Sequence, residues 1–162
     1  MTISVGEKIP DGSLMLSGEG GIKELPVGAE LAGKSVVIFG LPGAYTGTCS
    51  TAHVPSFIRT FDKFKAKGVD EIICVSVNDA HVMRAWGEAT GAAEAGIVMA
   101  ADPDASFTEA LGLEYGAGFA RGMARSKRYA MHVVDGVVKV LNLEDSTGAC
   151  EISAGEALLE KL

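Results

Sequence analysis

Apolar residues along the chain follow two different spacings, which predict alternating strands and helices. Consecutive apolar positions occur in KSVVIFG (34–40), EIICVSV (71–77) and GIVMAAD (96–102), as expected for strands covered on both faces. After the first of these runs, apolar side chains take the i, i+3, i+4, i+7 spacing of an amphipathic helix at Val54, Phe57, Ile58, Phe61 and Phe64. The pattern predicts a helix that ends at Gly68 and connects two buried strands.

Two hairpins are predicted outside this centre. The stretch SLMLSGEGGIKEL (13–25) has apolar residues on either side of a glycine-rich turn at 18–21. Near the other end of the chain, Asp135 and Gly136 stand between KRYAMHVV and VVKVLNL, and Asp-Gly between two such runs is a strong hairpin signal.

Three more helices complete the prediction. One covers DAHVMRAWGEA (79–89) with Asn78 or Asp79 as its N-cap, and a short one covers DASFTEALG (104–112). The last covers SAGEALLEKL (153–162), with Ser153 as its N-cap.

The resulting order is hairpin, βαβαβα, hairpin and helix. Parallel strands joined by helices, with an antiparallel pair added at the end, indicate an α/β protein with a mixed β-sheet and helices on both faces. The thioredoxin-like fold has this order. At 162 residues, the chain is expected to form a single domain over residues 1–162.

Composition and charge limit the classes of binding partner and the cellular compartment that we expect. The formal net charge of -7 argues against nucleic acid or an anionic membrane as a partner. The longest apolar stretch, 36–44, is broken by Pro42 and is far too short to span a membrane. The first residues lack the basic start and apolar core of a signal peptide, and three cysteines are unlike a secreted disulfide framework. We therefore expect a cytoplasmic protein.

Cys49 is the residue whose surroundings call for a chemical explanation. It follows a buried strand and a predicted turn at Pro42–Gly43, in the first turn of a helix that begins near Thr46. Unpaired N–H groups and the positive end of the helix dipole stabilise a thiolate there. The Thr46 hydroxyl is expected to reach the sulfur or a substrate oxygen, Pro42 to shield the pocket from water, and Pro55 to kink the helix. The alternative is a buried structural cysteine, with Thr46 acting only as the N-cap.

The stretch PGAYTGTCSTAHVPSF (42–57) resembles the P-x-x-x-T-x-x-C signature of the peroxiredoxins, with Pro42, Thr46 and Cys49 in the three invariant positions. More narrowly, FGLPGAYTGTCSTAHVPSF is similar to the type-five (type II) subfamily. The similarity continues through VSVND (75–79), ADP (101–103) and SKRYAMHVVDGVVKVLNLE (126–144).

This resemblance implies a thiol-dependent peroxidase that reduces hydrogen peroxide and organic hydroperoxides without a metal or organic cofactor. Cys49 would be the peroxidatic cysteine that becomes a sulfenic acid. The conserved arginine of the family corresponds to Arg128, whose guanidinium could stabilise both the thiolate and the leaving oxygen. Without the resemblance, Arg121 and Arg125 would remain open alternatives. The family also implies thioredoxin, glutaredoxin or glutathione as the reductant, and a homodimer.

The sequence leaves three routes for reducing the sulfenic acid. Cys150 lies in the polar stretch EDSTGACEIS (144–153), where type-five peroxiredoxins of the atypical two-cysteine kind carry a resolving cysteine, and we expect a Cys49–Cys150 disulfide. Cys74 lies inside a predicted strand and is expected to be an inert core thiol. An external thiol such as glutathione is the third route.

Without the family resemblance, the residues also allow other functions. A redox-regulated binding or scaffold module would keep the fold but have no turnover. A cysteine hydrolase would pair Cys49 with His53, four residues later on the same helical face. The three histidines, His53, His81 and His132, have no metal-ligand spacing and are expected to be ordinary core or surface residues.

Overall fold

The computed structural model describes residues 1–162, and its strands form one large and one small sheet. The large sheet contains β1 (Ser13–Gly18), β2 (Gly21–Pro26), β3 (Ser35–Leu41), β4 (Glu71–Ser76), β5 (Val98–Ala101), β8 (Tyr129–Val134) and β9 (Val137–Leu143). The small sheet pairs β6 (Glu114–Gly116) with β7 (Ala124–Ser126).

The large sheet has the strand order β2-β1-β5-β4-β3-β8-β9. Its centre, β3, β4 and β5, is parallel, and the two predicted hairpins add antiparallel strands at the two edges. The predicted mixed, thioredoxin-like sheet is therefore confirmed. The pairing of β3 with β8 sets Gly40 opposite Tyr129, which brings the end of β3 close to Arg128.

The helices are α1 (Val27–Leu31), α2 (Val54–Ala66), α3 (Ala80–Thr90), α4 (Ala92–Ala95), α5 (Ser106–Ala110) and α6 (Gly155–Leu159). A π-helical turn (Cys49–His53) precedes α2, and a 3₁₀ turn covers Gly118–Ala120. None of these helices combines the length and the apolar character that crossing a bilayer requires.

Alternating side chains of the buried strands form two apolar cores, one on each face of the large sheet. On β3, Val37, Phe39 and Leu41 face a core completed by α2, α3, α4 and α6. Val36 and Ile38 face the other core, which α1 and α5 cover. The prediction of helices on both faces is thus correct, and it explains why every residue from Val36 to Leu41 is buried.

The structure decides one predicted helix boundary, corrects another and adds elements that were not predicted. Asp79, and not Asn78, caps α3, because its carboxylate accepts from the Val82 N–H at 2.9 Å. The last helix is shorter than predicted: it begins at Gly155 after an N-cap at Ala154, and Ser153 is engaged elsewhere. The chain also contains α1, α4 and the β6–β7 hairpin, for which the apolar pattern gave no prediction.

Pro55 is accommodated by a widened turn. Proline has no N–H to donate to the carbonyl four residues earlier, so a regular α-helical turn cannot be completed there. The structure places a π-helical turn directly before it, in which the Val54 N–H donates to the carbonyl of Cys49, five residues back. This is the structural form of the irregularity predicted at Pro55.

Candidate active site

The loop between β3 and the π-helical turn is held by a side chain at the end of the neighbouring strand. Asn78, two residues after β4, accepts the Ala44 N–H at 3.0 Å through Oδ1, which also accepts the Ser76 hydroxyl at 2.6 Å. The turn is centred on Ala44 and Tyr45, and Tyr45 has the left-handed φ of 63°. The predicted turn at Pro42–Gly43 therefore lies two residues too early.

Cys49 is the first residue of the π-helical turn and is fully buried. The backbone N–H groups of Thr48 and Cys49 donate to no backbone carbonyl, which is the usual condition of the first residues of a helix. Two donors are therefore free beside the sulfur to stabilise negative charge there.

The guanidinium of Arg128 contacts the sulfur of Cys49, with Nη2 at 3.3 Å from Sγ. Its remaining donors are anchored: Nε and Nη2 donate to the carbonyl of Thr147 at 3.1 and 2.9 Å, and Nη1 donates to Nδ1 of His53 at 3.1 Å. Because all three nitrogens have partners, the planar group has one fixed orientation.

The structure places neither of the other candidate arginines against the sulfur. Arg125 donates through Nη1 to the carbonyl of Val77, the residue after β4, and its guanidinium lies 5.8 Å from the Phe119 ring centroid. Arg121 is exposed.

His53 is part of the site, although the sequence pattern indicated only an ordinary histidine. Its Nε2 lies 3.0 Å from the carbonyl of Ser153, which can only accept, so Nε2 carries the proton and Nδ1 accepts from Arg128. Burial, and then the charge of Arg128, lower the pKa of His53 to about 3. The imidazole is therefore neutral, and its spacing of four residues from Cys49 was the only signal of this role.

A cavity of about 230 Å³ lies beside the cysteine, and three of the predicted site residues, Pro42, Thr46 and Arg128, line it. Its lining residues are Pro42, Thr46, Gly47, Thr48, Tyr115, Phe119, Arg128, Thr147 and Gly148. The Thr46 hydroxyl does not reach the sulfur as expected: it donates to the carbonyl of Gly43 at 2.6 Å. Its lone pairs remain able to accept a proton donor inside the cavity.

The other two cysteines lie in different environments. Cys74 is fully buried on β4, opposite Phe39 of β3, and burial raises the pKa of its thiol. Cys150 is half-buried in the segment after β9, with its sulfur 4.0 Å from the Ser153 hydroxyl. No disulfide joins the three thiols. No group of three or more His, Cys, Asp or Glu is arranged to hold a metal ion.

Comparisons with known proteins agree with this fold and identify the family. The Redoxin family model matches residues 4–159. Chloroplastic peroxiredoxin-2E-2 of Oryza sativa subsp. japonica is 46% identical over 165 residues, covering 99% of this chain and 73% of the relative. Peroxiredoxin-2B of Arabidopsis thaliana is 41% identical over 161 residues, covering 99% and 98%. The solved structure of reduced Prx3 from Vibrio vulnificus in complex with H₂O₂ matches with a TM-score of 0.92 and 49% identity, covering 99% of each chain.

These similarities favour catalysis over the alternative of a binding or scaffold module without turnover. They extend over nearly the whole chain. The chain therefore belongs to the peroxiredoxins of the Redoxin family and is a thiol-dependent peroxidase with a thioredoxin-like fold.

Proposed function

We propose that Cys49 is the peroxidatic cysteine and that the hydroperoxide binds in the 230 Å³ cavity beside it. The observation that carries this proposal is the 3.3 Å contact between Arg128 Nη2 and the Cys49 sulfur, made by a guanidinium whose other donors are anchored. The thiolate is the nucleophilic form of cysteine, and a fixed guanidinium beside the sulfur faces the negative charge that moves from sulfur to oxygen during attack. The relative from Vibrio vulnificus, solved with H₂O₂, supports hydrogen peroxide as a substrate.

The chemistry follows from the groups around the cavity. The Cys49 thiolate attacks one peroxide oxygen, an S–O bond forms, and the O–O bond breaks. The sulfur is oxidised to a sulfenic acid, and the other oxygen leaves as hydroxide or alkoxide and takes a proton to give water or an alcohol. Arg128 and the free N–H groups of Thr48 and Cys49 face the negative charge that passes from sulfur to oxygen.

Thr46 and Pro42 have supporting roles in this proposal. Because the Thr46 hydroxyl proton is donated to Gly43, the oxygen is left to accept a hydrogen bond from the peroxide O–H, which orients the substrate. Pro42 is buried and lines the same cavity, where a ring without an N–H limits access of water to the thiolate.

We further propose that Cys150 resolves the sulfenic acid by forming a disulfide with Cys49 and releasing water. Its segment already packs on the site, because the carbonyl of Thr147 accepts from Arg128 and that of Gly148 accepts the Thr48 hydroxyl at 3.3 Å. The resulting disulfide would be reduced by thioredoxin, glutaredoxin or glutathione. Cys74, fixed in the central sheet, is proposed as a core thiol.

We also propose that the protein belongs to the type-five subfamily, forms a homodimer and is located in the cytoplasm. The subfamily rests on the FGLPGAYTGTCSTAHVPSF stretch, and the location rests on composition. The homodimer is supported by exposed apolar side chains beside the site, Tyr45 and Phe119.

The oligomeric state is tested by sedimentation velocity. Phe119→Asp should shift a dimer toward monomer, whereas Ile22→Asp, at an exposed position on the remote hairpin, should not. A wild-type monomer would contradict the dimer.

The peroxidase assignment of Cys49 is tested by Cys49→Ser. Serine stays protonated and is not oxidised, so peroxide consumption in a coupled thioredoxin assay should fall to background while the thermal unfolding transition persists. The matched variant Cys150→Ser should still reduce one equivalent of peroxide and then stall. Turnover retained by Cys49→Ser would exclude Cys49 as the nucleophile; full sustained turnover by Cys150→Ser would exclude only Cys150 as its resolving partner.

A further inference from the structure

The carboxylate of Glu144 gathers three donors from the end of the segment that follows β9. Its Oε1 accepts from the N–H of Glu151 at 2.6 Å, and from the N–H and hydroxyl of Ser153 at 2.8 and 2.9 Å. The backbone N–H of Glu144 donates to the carbonyl of Arg128 at 3.0 Å. Glu144 therefore ties the end of segment 145–153 to the start of β8.

Segment 145–153 supplies the carbonyl groups that orient the charged site. Thr147 accepts two donors of Arg128, and Ser153 accepts the Nε2–H of His53, whose Nδ1 in turn accepts from Arg128. A chain of contacts thus runs from the Glu144 carboxylate to the guanidinium that contacts Cys49.

The ionised form of Glu144 suits this role. Burial opposes its ionisation, but the donors from Ser153 and Glu151 outweigh burial, and the pKa of Glu144 lies below its usual value. An ionised acceptor makes stronger hydrogen bonds than a neutral one. The neighbouring acid Asp145 is exposed and makes no hydrogen bond, so only one of the two acids holds the segment.

Segment 145–153 also carries Cys150, so peroxide reduction requires the segment to stay in place whereas disulfide formation requires part of it to move. Peroxide reduction needs the segment in place to orient Arg128. Both thiols are free in this structure, so disulfide formation requires the Cys150 sulfur to move from its place beside the Ser153 hydroxyl to the sulfur of Cys49. Burial raises the pKa of Cys150, and the charge of Glu144 acts in the same direction.

We propose that Glu144 is a positioning residue that holds segment 145–153 against Arg128 and His53, and so speeds oxidation of Cys49 while restraining Cys150. The first effect rests on the proposed role of Cys49, and the second rests also on that of Cys150. In the restrained step, the Cys150 thiol attacks the Cys49 sulfenic acid, an S–S bond forms, the S–O bond breaks, and water leaves.

The first effect is measured as the second-order rate constant for oxidation by H₂O₂. Trp86, the only tryptophan, donates to the Ser50 hydroxyl beside Cys49 at 3.0 Å and provides the stopped-flow fluorescence signal. Glu144→Ala should lower this rate constant about 10- to 100-fold, because a small misplacement of a catalytic group costs that much. Glu144→Gln, which keeps an acceptor oxygen, should recover most of the rate, and the matched control Asp145→Ala should match the wild type.

The second effect is measured by quenching with a thiol-blocking reagent and quantifying the Cys49–Cys150 disulfide by mass spectrometry. Glu144→Ala should form it several-fold faster than the wild type once Cys49 is oxidised. General destabilisation would not slow one step and speed the next. Should Glu144→Ala not fold, Ser153→Ala removes one donor to the same oxygen and should give both changes at smaller size.

The possible results test the role of Glu144 separately from the proposed roles of Cys49 and Cys150. Equal oxidation rates in wild type, Glu144→Ala and Glu144→Gln overturn the positioning role whatever Cys150 does. A slowed oxidation with no faster disulfide overturns the restraint on Cys150. If wild type is oxidised at Cys49 but forms no disulfide with Cys150, the resolving role fails and the restraint with it, while the oxidation rates still decide the effect on Arg128.

Discussion

At the residue scale, Arg128 is distinguished from nearby arginines by its partners. Its guanidinium bridges Thr147, His53 and Cys49, whereas Arg125, three residues earlier, donates to the carbonyl of Val77. A bidentate, planar group can face the sulfur and a leaving oxygen at the same time, and the point charge of lysine cannot reproduce that geometry.

We therefore expect Arg128→Lys to lower the rate of Cys49 oxidation by about 10²–10³, the cost typical of losing one charge-stabilising donor. Arg125→Lys, the matched control, should have a smaller effect, since its donor reaches a backbone carbonyl outside the sulfur contact. Stopped-flow oxidation with H₂O₂ measures both. A silent Arg128→Lys together with a severe Arg125→Lys would show that the catalytic arginine has been misassigned.

The sequence could predict the candidate site residues that lie in a continuous motif, Pro42, Thr46 and Cys49, because their spacing reflects one loop. It could not identify the groups that orient Arg128. The Thr147 acceptor is a backbone carbonyl, which any residue supplies, and His53 meets Ser153 across 100 positions of sequence. Such contacts depend on the tertiary fold and leave no local pattern.

At the element scale, periodic apolar patterns predicted the long strands and helices. They did not predict α1, β6 and β7, because an element of three to five residues is too short to show a period. The start of α6 illustrates the limit. It is set by a close approach to α2, in which the Gly155 N–H donates to Ser56 Oγ at 2.9 Å. A Cβ at Gly155 would clash with Thr60 Oγ1 and would lie 2.6 Å from the Ser56 carbonyl oxygen.

Gly155→Ala should consequently lower the free energy of unfolding by about 1–3 kcal/mol, the usual cost of overpacking a buried contact. Gly20→Ala is the matched control, because no heavy atom lies within 4 Å of a Cβ at that position. Urea unfolding monitored by circular dichroism gives both values. Equal midpoints for the two variants would mean that α6 does not require the close approach to α2.

At the scale of the whole molecule, the buried neutral His53 couples folding to pH. Its pKa is about 3 in the folded protein and about 6.5 in the unfolded chain, so the unfolded state binds the proton first as pH falls. The stabilisation is fully present above pH about 6.5 and is lost as pH falls toward 3.

Between pH 7 and pH 5, the wild type should therefore lose more unfolding free energy than His53→Gln, with a limiting slope of about 1.4 kcal/mol per pH unit. Glutamine can donate to Ser153 and accept from Arg128 without titrating. His81→Gln, at an exposed position, should follow the wild-type curve. Chemical denaturation at several pH values provides the comparison, and parallel curves for wild type and His53→Gln would contradict the linkage.

The most direct test of the whole account is peptide mass spectrometry of the reduced protein after one equivalent of H₂O₂, with and without a sulfenic-acid trapping reagent. We predict that the oxidised sulfur is Cys49, found either as the trapped sulfenic acid or in a disulfide with Cys150, and that Cys74 stays reduced. Oxidation that begins at Cys74 or Cys150 while Cys49 remains a thiol would contradict the account.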